Sequence, residues 1–220
     1  MREIARDVHL LGAFPAYAIN VYMLGDILVD AATRLSRRRI LRELRGRTVR
    51  THMLTHAHGD HQGASHAVCT ELNLPLWCGA GDAAGMASGD LSAQIPRNLV
   101  TRIQERFWVG PPHPVARELR EGDQIGEWTV IETPGHSPGH VVFWRESDRT
   151  LIAGDVLVNM NLLTTRPGLA EPPLRFTMDP ALNRASVRKL KDLRPQVVCF
   201  GHGPPLRDPG RFADFISGLA

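Results

Sequence analysis

Apolar residues along the chain gather in short runs, separated by loops or by stretches with helical spacing. Residues 19–24 (INVYML) and 27–30 (ILVD) read as two strands joined at Gly25-Asp26, a dipeptide suited to a tight hairpin. Residues 34–45 set Ile40, Leu41 and Leu44 on one helical face, and 48–54 (TVRTHML) gives the next strand. A helix is predicted from near Asp60 toward Leu72, then a short strand at 75–78 (PLWC). Further strands are predicted at 128–132, 141–145, 150–153 and 197–200. Asp179 as a cap and Pro180 at the first helical position open a helix with a buried stripe of Leu182, Ala185, Leu190 and Leu193, closed by Pro195.

Residues 79–127 interrupt this rhythm with glycines, the Pro111-Pro112 pair and an amphipathic stretch at 98–108. They read as a partly helical cap inserted into one domain spanning 1–220, and the Pro-, Leu- and Met-rich segment 156–178 reads as a second lip. Hairpins in both halves imply mixed sheets and argue against a doubly wound parallel sheet. Two sheets packed face to face with helices outside fit the order of elements.

Composition narrows the class. With 43% hydrophobic and 22% charged residues over 220 positions, the chain is globular and not disordered. Only 6% of residues are aromatic, which argues against a base-stacking platform. The basic residues are arginines apart from Lys189 and Lys191, and they crowd into 34–50. Such a cluster can be a patch for an anionic polymer or the solvated side of a helix. Without interleaved aromatics the solvated side is expected, and no nucleic-acid partner. Cys69, Cys78 and Cys199 lie apart in apolar surroundings, as buried free thiols do in a reducing, cytoplasmic compartment. The first residues lack the apolar stretch of a secretory signal, and no apolar run is long enough to span a bilayer, so no membrane partner is expected.

The chemistry is concentrated in Thr55-His56-Ala57-His58-Gly59-Asp60-His61, which follows directly on the strand 48–54. In an extended segment His56 and His58 project to one side, and Asp60 and His61 fall at the turn into a helix. Imidazole and carboxylate together are ligands for zinc, iron or manganese. His136 in TPGHSPGH (133–140), Asp155 in IAGD (152–155) and His202 in FGHG (200–203) each stand at the end of an apolar strand, flanked by glycine. Four strand-end loops could therefore converge on one metal centre.

This ordered set, THAHGDH, TPGH, GD and GH, resembles the metallo-β-lactamase superfamily over nearly the whole chain. The resemblance implies an α/β fold, a four-layer αββα sandwich of two mixed sheets with helices outside. It implies two divalent metal ions, zinc foremost with iron or manganese as alternatives. His56, His58 and His136 would hold the first; Asp60, His61 and His202 the second, with Asp155 bridging. Asp60 would also orient the nucleophile, and the implied reaction is hydrolysis by attack of a metal-bound hydroxide. Outside the ligand set, Asp30 is expected to support a ligating histidine, and His140 to donate a hydrogen bond or act as an acid. His52 and His66 are expected to be ordinary core or helix residues; His9 and His113 have no informative context.

The branch nearest by motif is glyoxalase II. The 18 residues after His202 are too few for a helical glutathione-binding domain, and the VLVNMNLLTTRPG segment lacks the ending usual in such thioesterases. The expected substrate is a small molecule with an ester, thioester or lactone bond, fitted between apolar lips that include Phe107, Trp108, Leu162 and Leu163. The alternatives are an iron-dependent persulfide dioxygenase and a phosphodiesterase or ribonuclease of the same fold.

Overall fold

The computed structural model describes residues 1–12 and 15–219. Strands β1 (Arg2–Ala5), β2 (Val8–Leu10), β3 (Tyr22–Leu24), β4 (Ile27–Val29), β5 (Thr51–Met53), β6 (Leu76–Gly79) and β7 (Val115–Leu119) form one sheet in sequential order. Pairings from β1 to β4 are antiparallel and those from β4 to β7 parallel. The second sheet contains β8 (Gln124–Ile125), β9 (Trp128–Glu132), β10 (Val141–Arg145) and β11 (Thr150–Gly154). A separate ribbon pairs β12 (Val158–Met160) with β13 (Pro167–Ala170), and β14 (Val197–Phe200) returns to the second sheet parallel to β11.

Parallel neighbours need crossovers, and helices supply them. A 3-10 turn at Arg34–Ser36 leads into α1 (Arg37–Leu44) between β4 and β5. Then come α2 (Gly59–Gln62) and α3 (Ser65–Leu72), and α4 (Ala80–Ser88) and α5 (Leu99–Trp108) lie between β6 and β7. A second 3-10 turn, Leu174–Phe176, precedes α6 (Pro180–Lys189), and α7 (Pro209–Ser217) closes the described chain. Side chains alternate across each strand and divide the core into three. Leu28 and Leu54 face Ile40, Leu44 and Val68 of the first helical layer. Val29, Met53, Phe143 and Ile152 meet between the sheets. Val142 and Leu151 face Val187 and Phe212 of the second helical layer. The result is the αββα sandwich of two mixed sheets. Among the described residues no helix is long and apolar enough to cross a membrane.

Several elements differ from the sequence expectation. The helix expected over 60–72 breaks between α2 and α3. A Cβ on Gly63 would lie 2.3 Å from the Trp108 carbonyl oxygen and 2.4 Å from the Arg34 nitrogen, so two distant backbones occupy the flank there. The cap expected at 79–127 is smaller: α4 packs on β6 and β7 as a crossover, while β7 and β8 are strands of the two sheets. Only the stretch around α5 stands over the site. In α6 the inward positions are Asn183, Ser186 and Val187, and Leu182 is exposed. Asn183 turns inward because its Nδ2 donates to the Val156 carbonyl at 3.0 Å.

Candidate metal centre

The seven residues of the ordered motifs meet at one edge of the sandwich. His56 follows β5, His136 follows β9, Asp155 follows β11 and His202 follows β14, so each ligand loop leaves the C-terminal end of a strand. Three groups have ligand atoms within 4.8 Å of one another: His56, His58 and His136; His56, His61 and Asp155; and Asp60, His61 and His202. Asp155 Oδ2 lies 3.7 Å from His136 Nε2, 3.5 Å from His61 Nε2 and 3.0 Å from His202 Nε2. One carboxylate therefore stands between a three-histidine group and an Asp/His/His group.

The ring nitrogens facing away from the centre are tethered, which fixes the tautomers. His61 Nδ1 donates to Asp30 Oδ2 at 2.9 Å. The other Asp30 oxygen accepts the Thr55 backbone N–H at 2.8 Å, and the Thr55 hydroxyl donates to Oδ2 at 2.9 Å. That hydroxyl in turn accepts from His56 Nδ1 at 3.1 Å. His136 Nδ1 donates to Thr177 Oγ1 at 3.3 Å, and His202 Nδ1 donates to the Ala18 carbonyl. His58 is turned the other way, with Nε2 donating to the Gln94 carbonyl at 2.8 Å. Nε2 of His56, His61, His136 and His202, and Nδ1 of His58, are left to point inward.

The donor set fits a pair of metal ions. His56 Nε2, His61 Nε2, His136 Nε2 and Asp155 Oδ1 are buried without a hydrogen-bond partner in the protein, and leaving such groups unsatisfied costs about 1–3 kcal/mol each. Burial and neighbouring histidines hold His56 and His136 neutral. At His202, Asp155 and Asp60 overcome burial and raise the pKa to about 10. Asp155 and Asp30 likewise raise His61 against its burial. In the metal-free chain protons stand where the second cation would bind, so occupancy of that position releases them.

His140 has a positioning role. Its Nδ1 donates to Thr133 Oγ1 at 2.8 Å and its Nε2 accepts the Asp155 backbone N–H at 3.0 Å. Burial lowers its pKa to about 3, so it is neutral and fixes the loop that carries Asp155. His52 is a core residue between Leu28 and Ser65, whereas His66 sits at the surface beside His113.

The largest omission from the sequence reading is Asp82, fully buried at the start of α4. Its Oδ2 accepts the Ala57 N–H at 2.9 Å and the Ser137 hydroxyl at 2.7 Å, while Oδ1 accepts the Gly139 N–H at 2.8 Å. It ties the loop of His56 and His58 to the loop of His136. A Cβ on Gly139 would lie 2.2 Å from the Asp82 nitrogen, so the second glycine of PGHSPGH admits this contact. Asn20 supports His202, donating to the Phe200 and Gly203 carbonyls at 2.8 Å each.

An αββα sandwich with a His/Asp dinuclear site at its edge defines the class of the protein. The family model for the metallo-beta-lactamase superfamily matches residues 15–202, and the chain belongs to that superfamily. It is 27% identical to the Probable metallo-hydrolase YflN of Bacillus subtilis (strain 168), over 93% of this chain and 86% of that one. It is 28% identical to a hydroxyacylglutathione hydrolase of Bdellovibrio bacteriovorus, over 67% of this chain but only 46% of that protein. Among solved structures, TTHA1623 in a di-iron-bound form superposes with a TM-score of 0.64 at 28% identity, covering 91% of this chain and 88% of that one.

Proposed function

We propose that the protein is a metal-dependent hydrolase of a small ester, thioester or lactone, with zinc as its metal. The observation that carries this reading is a cavity of about 490 Å³ whose floor includes His58, Asp60, His136, Asp155 and His202. Its walls include Ile19, Ile95, Trp108, Leu162 and Phe176. Apolar walls over a few convergent polar groups suit a small acyl compound. Bound metals would acidify a coordinated water and polarise the scissile carbonyl. Asp60, held ionised by His202 and His61 against its burial, offers a carboxylate that orients the attacking water. Asp30, His140 and Asp82 keep the ligand loops in place without touching the substrate. Trp108, Leu162 and Phe176 exclude bulk water from the bond being cleaved.

Among the described residues lining the cavity there is no tyrosine or lysine, and its histidines belong to the ligand groups. A leaving group that departs without a dedicated acid suits this lining, which favours thioesters and activated esters. The partial likeness to hydroxyacylglutathione hydrolases supports the same substrate class, and the di-iron form of TTHA1623 makes iron the second metal to test. The buried, unpaired thiols of Cys69, Cys78 and Cys199 support a cytoplasmic setting.

The test is a hydrolysis screen over ester, thioester, lactone and phosphodiester substrates with zinc-, manganese- and iron-loaded protein. Turnover of an acyl substrate, lost in Asp60→Ala, is expected. Sulfite formation from a persulfide with one iron per chain would overturn the proposal.

A further inference from the structure

Helix α5 turns its most apolar side outward. Leu99, Ile103 and Phe107 are 74%, 52% and 51% exposed, and the helix's one fully buried residue is Thr101. A surface helix ordinarily buries such a stripe. Leu35, Leu163 and Leu174 are also exposed, at 77%, 79% and 69%. Their neighbours in sequence, Ser36, Val100, Leu162, Pro173 and Arg175, line one opening. The 3-10 turn bearing Leu35 packs against α5. Asn98, the cap of α5, donates to the Arg175 carbonyl at 2.7 Å, beside Leu174. Val100, Leu162 and Phe176 line the same cavity above the metal centre.

The charge of this rim is lopsided. Segments 34–39, 97–108, 161–166 and 174–178 carry nine arginines and a single acidic residue, Glu105. The rest of the chain carries 17 basic and 22 acidic side chains. Arg37 pairs with Glu71 of α3 at 2.9 Å, and Arg39 lies 3.9 Å from Glu43, one turn further along α1. Exposed aliphatic and aromatic side chains set among arginines around an open cavity make a surface of two chemistries.

We propose that this rim seats on an anionic lipid surface, with α5 lying in the interface and the cavity mouth facing it. Phosphate headgroups satisfy the arginines, and acyl chains receive Leu99, Ile103, Phe107, Leu163 and Leu174. A nucleic acid would satisfy the charge and leave the apolar side chains in water. A second copy joined by a two-fold axis would bring the same cationic face against itself. The expectation of no membrane partner rested on the lack of a long apolar run, and this patch is assembled from four segments far apart in sequence. The rim does not depend on the hydrolase reading; with that reading, it delivers amphipathic acyl compounds from the lipid phase to the metal centre.

The experiment is vesicle co-sedimentation of the full chain, which needs no activity. Vesicles of phosphatidylglycerol and phosphatidylcholine in equal parts are compared with pure phosphatidylcholine. Binding to the anionic vesicles at least about tenfold tighter, and weakened by high salt, is expected. Ile103→Glu with Phe107→Glu should reduce it about tenfold, with the thermal midpoint reporting that the fold is kept; Arg102→Gln with Arg106→Gln should weaken it in the same assay. No binding, equal binding to both vesicle types, or variants that bind like wild type would overturn the proposal. So would tighter binding to duplex DNA than to vesicles, or a dimer in sedimentation velocity that the glutamate variant dissolves.

Discussion

At the candidate metal centre, on and beneath the floor of the cavity, each histidine of the ligand groups is held through the ring nitrogen that faces away from the centre, by Asp30, Thr55, Gln94, Thr177 or Ala18. On the rim, Leu35, Leu99, Leu163 and Leu174 stand largely in solvent. Floor residues fulfil geometric demands that few side-chain types can meet. Rim residues need only be apolar or cationic. Under the proposed function and the proposed lipid contact, the floor carries the chemistry and the rim decides what reaches it.

The sharpest way to break the contrast is at Asp155, whose Oδ2 stands between the two ligand groups. Asp155→Ala should cost on the order of 10³-fold in kcat/KM and at least one metal per chain by elemental analysis. Retention of both metals with full activity would show that the carboxylate does not bridge. Asp82→Ala comes next. It strips the acceptor from Ala57, Ser137 and Gly139, and should weaken metal at His56, His58 and His136 by about 10- to 100-fold. Metal at Asp60, His61 and His202 should be held as before. Calorimetric titration of the metal-free variant with zinc separates the two sites, and equal weakening of both would make Asp82 a general packing residue.

The floor was largely legible in the sequence because its signals are local. Ligand residue types, spacing two apart in His56 and His58, and glycines beside His136, Asp155 and His202 all lie within a few residues of a strand end. Asp82 escaped because its partners at 57, 137 and 139 come from other loops, and an acid in a helix's first turn has a local explanation already. Strands β1 and β2 escaped for a related reason. Their apolar positions Ile4, Val8 and Leu10 alternate with Arg, Glu and His, and only packing between the sheets makes them core. The orientation of α5 was not legible at all. Periodicity marks an amphipathic helix over 98–108, but it cannot say whether the apolar stripe meets protein or solvent.

Two smaller effects sharpen the contrast from opposite ends. Beneath the floor, His52 on β5 donates from Nδ1 to the Leu28 carbonyl at 3.1 Å, and its Nε2 accepts from the Ser65 hydroxyl at 2.8 Å. Burial lowers its pKa to about 4, below the ordinary 6.5. As pH falls from 6.5 toward 4 the unfolded chain takes up this proton and the folded chain does not, so stability present at neutral pH is lost, by about 3 kcal/mol for this group. Urea midpoints of metal-free protein across that range should fall less steeply in His52→Gln than in wild type, and identical slopes would show that the site contributes nothing. The rim should give almost no response of this kind. Leu163 and Leu174 bury little, so Leu163→Ser with Leu174→Ser should change unfolding free energy by no more than about 0.5 kcal/mol and leave metal content untouched. Under the proposed lipid contact their replacement should act on KM for longer acyl chains. A loss of several kcal/mol in the double variant would mean that the rim is built as tightly as the floor, and the division between chemistry and access would fail at its weaker side.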